Sequence, residues 1–157
     1  MRTICKMIYS VLLVFVYSSF LQAQDITVSG RWDLTIDSSD LQGGAGTDLE
    51  PTYKSRKKQI RIDVENTNTN WSVSVQLNPI NWHADFRFGV KRTTNGNGPG
   101  WISGGTSWMD VTTFDQEFFT GNNRRRKVSV KCRFKDVSVQ IPPDLYSMSV
   151  IYTVTEL

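Results

Sequence analysis

Apolar and polar residues alternate along most of the chain after Asp25. A period of two is the pleat of half-buried β-strands, whose successive side chains point to opposite faces. The closing stretch shows it over the longest run. Tyr146, Met148, Val150, Tyr152 and Val154 fall on one face, Ser147, Ser149, Thr153 and Thr155 on the other, and only Ile151 breaks the rule. Pro142-Pro143 delivers the chain into this strand, and everything upstream is expected to supply partners for its backbone or a second sheet for its apolar face.

Upstream, Ile26, Val28, Trp32, Leu34 and Ile36 alternate with polar residues, and Gly30 takes the one missing apolar position. A central glycine in a strand predicts a bulge or the close approach of another backbone. Asp37 to Thr52 lacks periodicity and reads as a loop. Ile60, Ile62 and Val64 form the next apolar face, Asn66 to Asn70 a turn, and Trp71, Val73, Val75 and Leu77 another face. Two alternating runs joined by five polar residues predict a β-hairpin. Asn78-Pro79 is expected to break that strand. Further strands are predicted over His83–Arg92 (Phe86, Phe88 and Val90 inward), Val111–Phe119, Lys127–Lys135 and Val137–Ile141, with a turn at Gly121-Asn122-Asn123. The inward set adds Val128, Val130 and Phe134 to the residues above.

Seven to eight short strands with glycine- and asparagine-rich turns, and no helical period, predict a single all-β domain. The expected form is an antiparallel immunoglobulin-like β-sandwich, with a barrel as the second choice.

The ends change the picture. Arg2 and Lys6 precede an apolar run, Met7 to Phe20, and Leu21-Gln22-Ala23 follows it. That is the layout of a secretory signal peptide over residues 1–23, leaving 24–157 as the exported domain; the run is short for a membrane span. Export implies the periplasm, the cell surface or the extracellular space, with membrane contact only through export. The formal charge of +3 counts Arg2 and Lys6, so processing leaves about +1, and the basic composition does not argue for nucleic acid. Processing also removes Cys5 and leaves Cys132, on the apolar face of its strand, without a disulfide partner.

Little supports an enzyme. His83 is the single histidine, and there is no G-x-S-x-G elbow beside which it would serve a nucleophilic serine. One histidine and one cysteine do not make a zinc site. Asp115 with Glu117, placed on one strand face, and Asp37 with Asp40 read as solvated acids rather than a calcium cage. No cofactor is expected. The glycines at 96, 98 and 100 lack the lysine and the strand-to-helix turn of a phosphate loop.

Two features point to binding. Trp82, Trp101 and Trp108 lie in or beside loops, where indoles can stack on sugar rings or fold back over the open end of a sandwich. Basic residues cluster at Lys54, Arg56, Lys57 and Lys58 and at Arg124, Arg125, Arg126 and Lys127. They read as solvated turns, or, if the loops meet, as a surface for acidic polysaccharide or lipid headgroups. Nucleic acid is disfavoured because no aromatics are interleaved with them.

The closing segment Ile141-Pro142-Pro143-Asp144-Leu145-Tyr146 with its Y-T-V-T strand, and the glycine-interrupted first strand, resemble the ends of exported bacterial pilin-like and spore-coat-protein-U-like β-sandwich domains. The resemblance implies a structural or adhesive component of the cell surface. It also implies that Ile26, Val28, Gly30 and Trp32 would complete the sheet of a neighbouring copy or related subunit. The other reading of that segment is an ordinary first strand pairing within its own domain.

Overall fold

Two antiparallel sheets face each other in the computed structural model, which describes residues 24–157. The signal peptide expected over 1–23, with Cys5, lies outside the described residues. In chain order the strands are β1 (Asp25–Ser29), β2 (Thr52–Lys54), β3 (Ile60–Glu65), β4 (Asn70–Asn81), β5 (Arg87–Arg92), β6 (Ile102–Gly104), β7 (Met109–Asp110), β8 (Gln116–Asn122), β9 (Arg125–Lys135) and β10 (Ser147–Glu156). Sheet I runs β1-β3-β9-β5-β7, and β2 joins β9 beyond the end of β3. Sheet II runs β10-β4-β8-β6. The fold is therefore the all-β sandwich that the alternation predicts, with more strands because β2, β6 and β7 are too short to show a period.

The core forms where the two inner faces meet. Ile62, Val64, Val90, Val128 and Val130 of sheet I and Trp71, Val73, Val75 and Phe119 of sheet II are fully or almost fully buried. Each such side chain contributes about 1.5–3 kcal/mol before conformational entropy is subtracted.

Several expectations need correction. β3 and β4 do not form a hairpin: β3 pairs with β1 and β9, β4 with β10 and β8, and Asn66 to Thr69 carry the chain from one sheet to the other. The reason is burial. Ile62 and Val64 need cover from above, and Trp71, Val73 and Val75 provide it from the opposite sheet, where hairpin partners side by side could not. The first strand ends at Ser29 instead of reaching Ile36. Gly30 has φ +116, and a Cβ there would collide with the Gln59 carbonyl, so another backbone does approach closely. Beyond it Trp32 leans on the core, but Val28 and Leu34 are 41% and 38% exposed rather than inward.

Pro79 does not break β4, which continues to Asn81 against β10 alone. β8 has ended its pairing at Val75, so Pro79 sits at a sheet edge that demands no further hydrogen bond. A bulge between Ser147 and Met148 absorbs the extra residue. β5 starts at Arg87, not His83, and Val137 to Ile141 is not a strand. β8 covers 116–122, so Gly121 and Asn122 are strand residues and the turn lies beyond them. Within it, Val73 opposes Phe119 and Ser74 opposes Glu117, which leaves Phe118 in a bulge. That bulge lets two adjacent phenyl rings both be buried, and it is why the alternation is less clean over Val111–Phe119. The final strand is a sheet edge, paired only with β4; β3, β9 and β5 in one sheet and β4 and β8 in the other are flanked on both sides.

One close fit sets the register of sheet II. Trp71 opposes Gly121, and a Cβ on Gly121 would stand 2.5 Å from Trp71 Cη2. The indole lies over that glycine, edge-on to Phe119 with centroids 6.0 Å apart, and its Nε1 donates to the Asn123 carbonyl at 2.8 Å. Gly121→Ala should therefore lower the unfolding free energy by about 1–3 kcal/mol, the usual cost of overpacking. Denaturant titration checks this; an unchanged midpoint would mean that the indole can move aside.

Candidate functional site

Basic residues concentrate on the outward positions of β5 and β9 in sheet I, whereas β3 sends Asp63 and Glu65 outward beside Arg61. On β9 the cations are Lys131, Arg133 and Lys135, in line with Ser129; on β5, Arg87 and Lys91; on β3 and β2, Arg61 and Lys54. The register places Lys91 directly opposite Lys131, Arg87 opposite Lys135 and Lys54 opposite Arg133. Like charges directly across a ladder destabilise it. Asp110 relieves part of the load, accepting from Arg133 at 2.6 Å and from Lys135 at 2.9 Å. Burial pulls the Asp110 carboxyl upward, but those cationic donors outweigh it and hold it below the usual carboxylate range. Among the described residues Lys54, Arg61, Arg87, Lys91 and Lys131 make no ion pair. The outward face of sheet II is different in kind: Ser72, Ser74, Gln76, Ser149 and Thr153 give it hydroxyls and amides.

The predicted basic loops divide. Arg125 is not a solvated ligand-binding side chain, because it points inward and is buried; its guanidinium donates to the Gly98 carbonyl at 2.9 Å and to that of Gly100. Arg92 does the same nearby, donating through Nε to the Gly104 carbonyl at 2.8 Å and also to Asn95. Burial, then the neighbouring Arg125, lowers the Arg92 pKa from its ordinary value. Together the two arginines latch the glycine-rich stretch 94–105 over one end of the sandwich. Arg126 is paired with Glu65, Arg124 is exposed, and Lys57 is exposed while its carbonyl accepts from Thr93. Lys58 comes together with Lys127 and Arg61 around a shallow cavity of about 230 Å³.

The three tryptophans are not brought into one platform. Trp82 folds inward, 5.3 Å from Phe86 and 5.5 Å from Phe134 between ring centroids. Trp108 lies over the outer side of the same sheet, under the Arg133 guanidinium at 4.7 Å. Trp101 is at the other end, 45% exposed, with its backbone tied to Asn122 by hydrogen bonds of 2.7 and 3.2 Å.

A second concavity opens between the sheets on the β1/β10 side, about 1210 Å³, with Trp32, Trp82, Phe86, Phe134, Met148 and Tyr152 among its lining. Trp32 to Ile36 runs along it in the first exposed stretch after β1, with no backbone–backbone hydrogen bond among the described residues. Ile26, Val28 and the residues up to Ser29 are paired with β3 of their own chain.

The remaining candidates have local roles. Asp37 and Asp40 form a reciprocal capping box around the short 3-10 turn at Ser38–Asp40. The Ser39 hydroxyl and then its backbone N–H, both donating to Asp37, lower that carboxyl's pKa. Asp115 precedes β8, so it does not share a strand face with Glu117, which accepts from the Ser72 hydroxyl at 3.1 Å. Among the described residues no three His, Cys, Asp or Glu side chains are grouped to hold a metal ion, and no helix is long and apolar enough to cross a membrane. His83 Nδ1 accepts from the Asp85 backbone at 3.3 Å.

The alternation already puts Arg61, Asp63 and Glu65 outward on β3, but it does not mark the outward cations of β5 and β9 as one site. What was missing was the order of strands, which sets Lys91 beside Lys131. No protein-family model, curated protein or solved structure matches the chain.

Cys132 sits on the inner side of β9, its backbone N–H donating to the Ser55 hydroxyl at 2.8 Å. Burial pushes the thiol up to about 11, against a smaller opposing effect of Ser55. At neutral pH the folded protein should resist alkylation of Cys132 by iodoacetamide and react only once denatured. Mass spectrometry checks it, and prompt labelling of the native protein would contradict this burial.

Proposed function

We propose that the chain is an exported, non-catalytic adhesive module that holds acidic polysaccharide at the cell surface through the outer face of sheet I. The observation that carries the reading is the juxtaposition of Lys91 and Lys131 on adjacent central strands, with no carboxylate paired to either among the described residues. The mature chain has little net charge to distribute, and the opposite face is mostly hydroxyls and amides, with Glu117 its acid beside Ser72. A cost to sheet stability is concentrated where a polyanion would repay it. The face is also broad and held by ladders on both sides, which suits a repeating polymer better than a small solute. Single-stranded nucleic acid is the poorer partner, since bases need free aromatic faces and Trp108 is already covered by Arg133.

Retention of the mature protein on immobilised polygalacturonate, compared with a neutral glucan, tests the reading. Lys91→Gln with Lys131→Gln should lower the salt needed for elution and weaken binding about tenfold or more, each charged contact contributing on the order of 1 kcal/mol. Thermal stability should hold or rise, because a like-charge pair is removed. Equal retention on the neutral glucan, or retention unaffected by the double substitution, would sink the proposal.

The open cleft and the unpaired backbone of Trp32 to Ile36 favour a second reading, a subunit that assembles with copies of itself or a related surface subunit. In that reading Ile26, Val28, Gly30 and Trp32 belong to the interface. Light scattering on the mature protein should then give a mass that grows with concentration and falls back with Leu34→Asp. A constant monomer mass would remove it.

A further inference from the structure

We infer that the concavity between Lys58, Arg61 and Lys127 is a seat for one tetrahedral oxyanion, a sulfate or phosphate ester carried by the polymer. The inference rests on the reading of sheet I as the polymer-binding face and identifies the chemical group that this end of it recognises.

Three cations reach one cavity of about 230 Å³ from three separate elements: the loop before β3, β3 itself and the start of β9. Hydroxyls and amides of Thr94, Asn95 and Ser129 complete its wall. Lys127 is brought there by a distortion. The register between β3 and β9 shifts between Ile62 and Val64, and Lys127 takes φ +59, a left-handed conformation uncommon for a long side chain. Strained backbone of this kind persists only where its surroundings enforce it, and it concentrates at functional sites. Here the enforcement is visible. Asp63 accepts from the Lys127 N–H at 2.6 Å, and the Thr94 hydroxyl accepts from the Ser129 N–H at 3.0 Å. Asn97 and Arg126 exchange backbone hydrogen bonds of 2.7 and 2.8 Å, which closes the rim. Gly96 has φ +66, and a Cβ there would collide with the Arg126 carbonyl, so the rim admits glycine alone.

The charge balance favours a strong anion. Among the described residues none of Lys58, Arg61 and Lys127 is in an ion pair. Asp63, the carboxylate in contact with this segment, is engaged by a backbone N–H. A sulfate or phosphate ester presents three terminal oxygens, enough for each cation to have its own acceptor; a carboxylate presents two. Flat carboxylated polymer would be held by the open lysines of β5 and β9, and the concave end would select esters.

Amide NMR on the mature protein tests this with sodium sulfate, inorganic phosphate and sodium chloride at matched ionic strength, then with a sulfated and a carboxylated polysaccharide. Saturable shifts of the Gly96, Asn97 and Lys127 amides are expected with sulfate or phosphate and with the sulfated polymer, but not with chloride or the carboxylated polymer. The oxyanion that saturates at lower concentration identifies the ester. Arg61→Gln and Lys127→Gly should each weaken that binding about tenfold, as loss of a charged hydrogen bond does. Glycine keeps the left-handed backbone, so Lys127→Gly should preserve the fold. Shifts that chloride reproduces, or that survive both substitutions, would overturn the seat. Polymer retention that persists in both variants without any sulfate response would overturn the seat while leaving the broad basic face in place. Sulfate saturation without retention of any polymer would keep the seat and remove the polymer reading.

Discussion

The contact between the inner faces of β9 and β4 is the one on which the rest of the molecule depends. Each of these strands is flanked on both sides within its own sheet, so each fixes two neighbours by backbone hydrogen bonds while it buries its valines against the other. Apolar burial supplies the driving force and the ladders supply direction. The fit of Trp71 over Gly121 then locks one register of sheet II, because a slip by one residue would put a side chain where the indole lies. Among the described residues a sandwich fixed in this way has no disulfide, and Cys132 is part of its inner surface.

Rigidity at the centre allows irregularity at the ends. Arg92 and Arg125 are buried without an acidic partner among the described residues, and backbone carbonyls of the glycine-rich stretch take their place. Burying a cation is costly unless its donors find partners, and the loop carbonyls engage both terminal nitrogens of Arg125, though not its Nε, only while the loop stays closed. The arginines and the loop therefore hold each other. Trp101 and the rim at Asn97 inherit their positions from this arrangement.

The same architecture separates charge. Alternation sends every second residue of a strand outward, and on β5 and β9 these are mostly lysine and arginine, whereas in sheet II they are mostly serine and threonine. A small net charge thus conceals a strongly polar distribution. Association with an acidic polymer would use the sheet as a template on which cations are spaced by strand geometry, with entropy already spent on ordering the backbone. The bulge at Lys127 adds a concave end to that otherwise flat template.

The sequence by itself determined the class of the fold, most of the strands and most of the inward residues, because a period of two depends only on neighbours along the chain. It also supplied Gly30 as a point of close approach and the burial of Cys132. It misplaced the partners: β3 and β4 looked like a hairpin, and Pro79 like a break. Alternation carries no information on which strand lies beside which, and the adjacent buried rings of Phe118 and Phe119 blurred the bounds of the strand predicted over Val111–Phe119. For the candidate site the basic turns were visible, but Arg125 turned inward and the three tryptophans went to different places. Only the tertiary structure set Lys91 beside Lys131 and gathered Lys58, Arg61 and Lys127 round one cavity. Those residues are distant in sequence, and hydrogen bonds between strands, acting across that distance, are what brought them together.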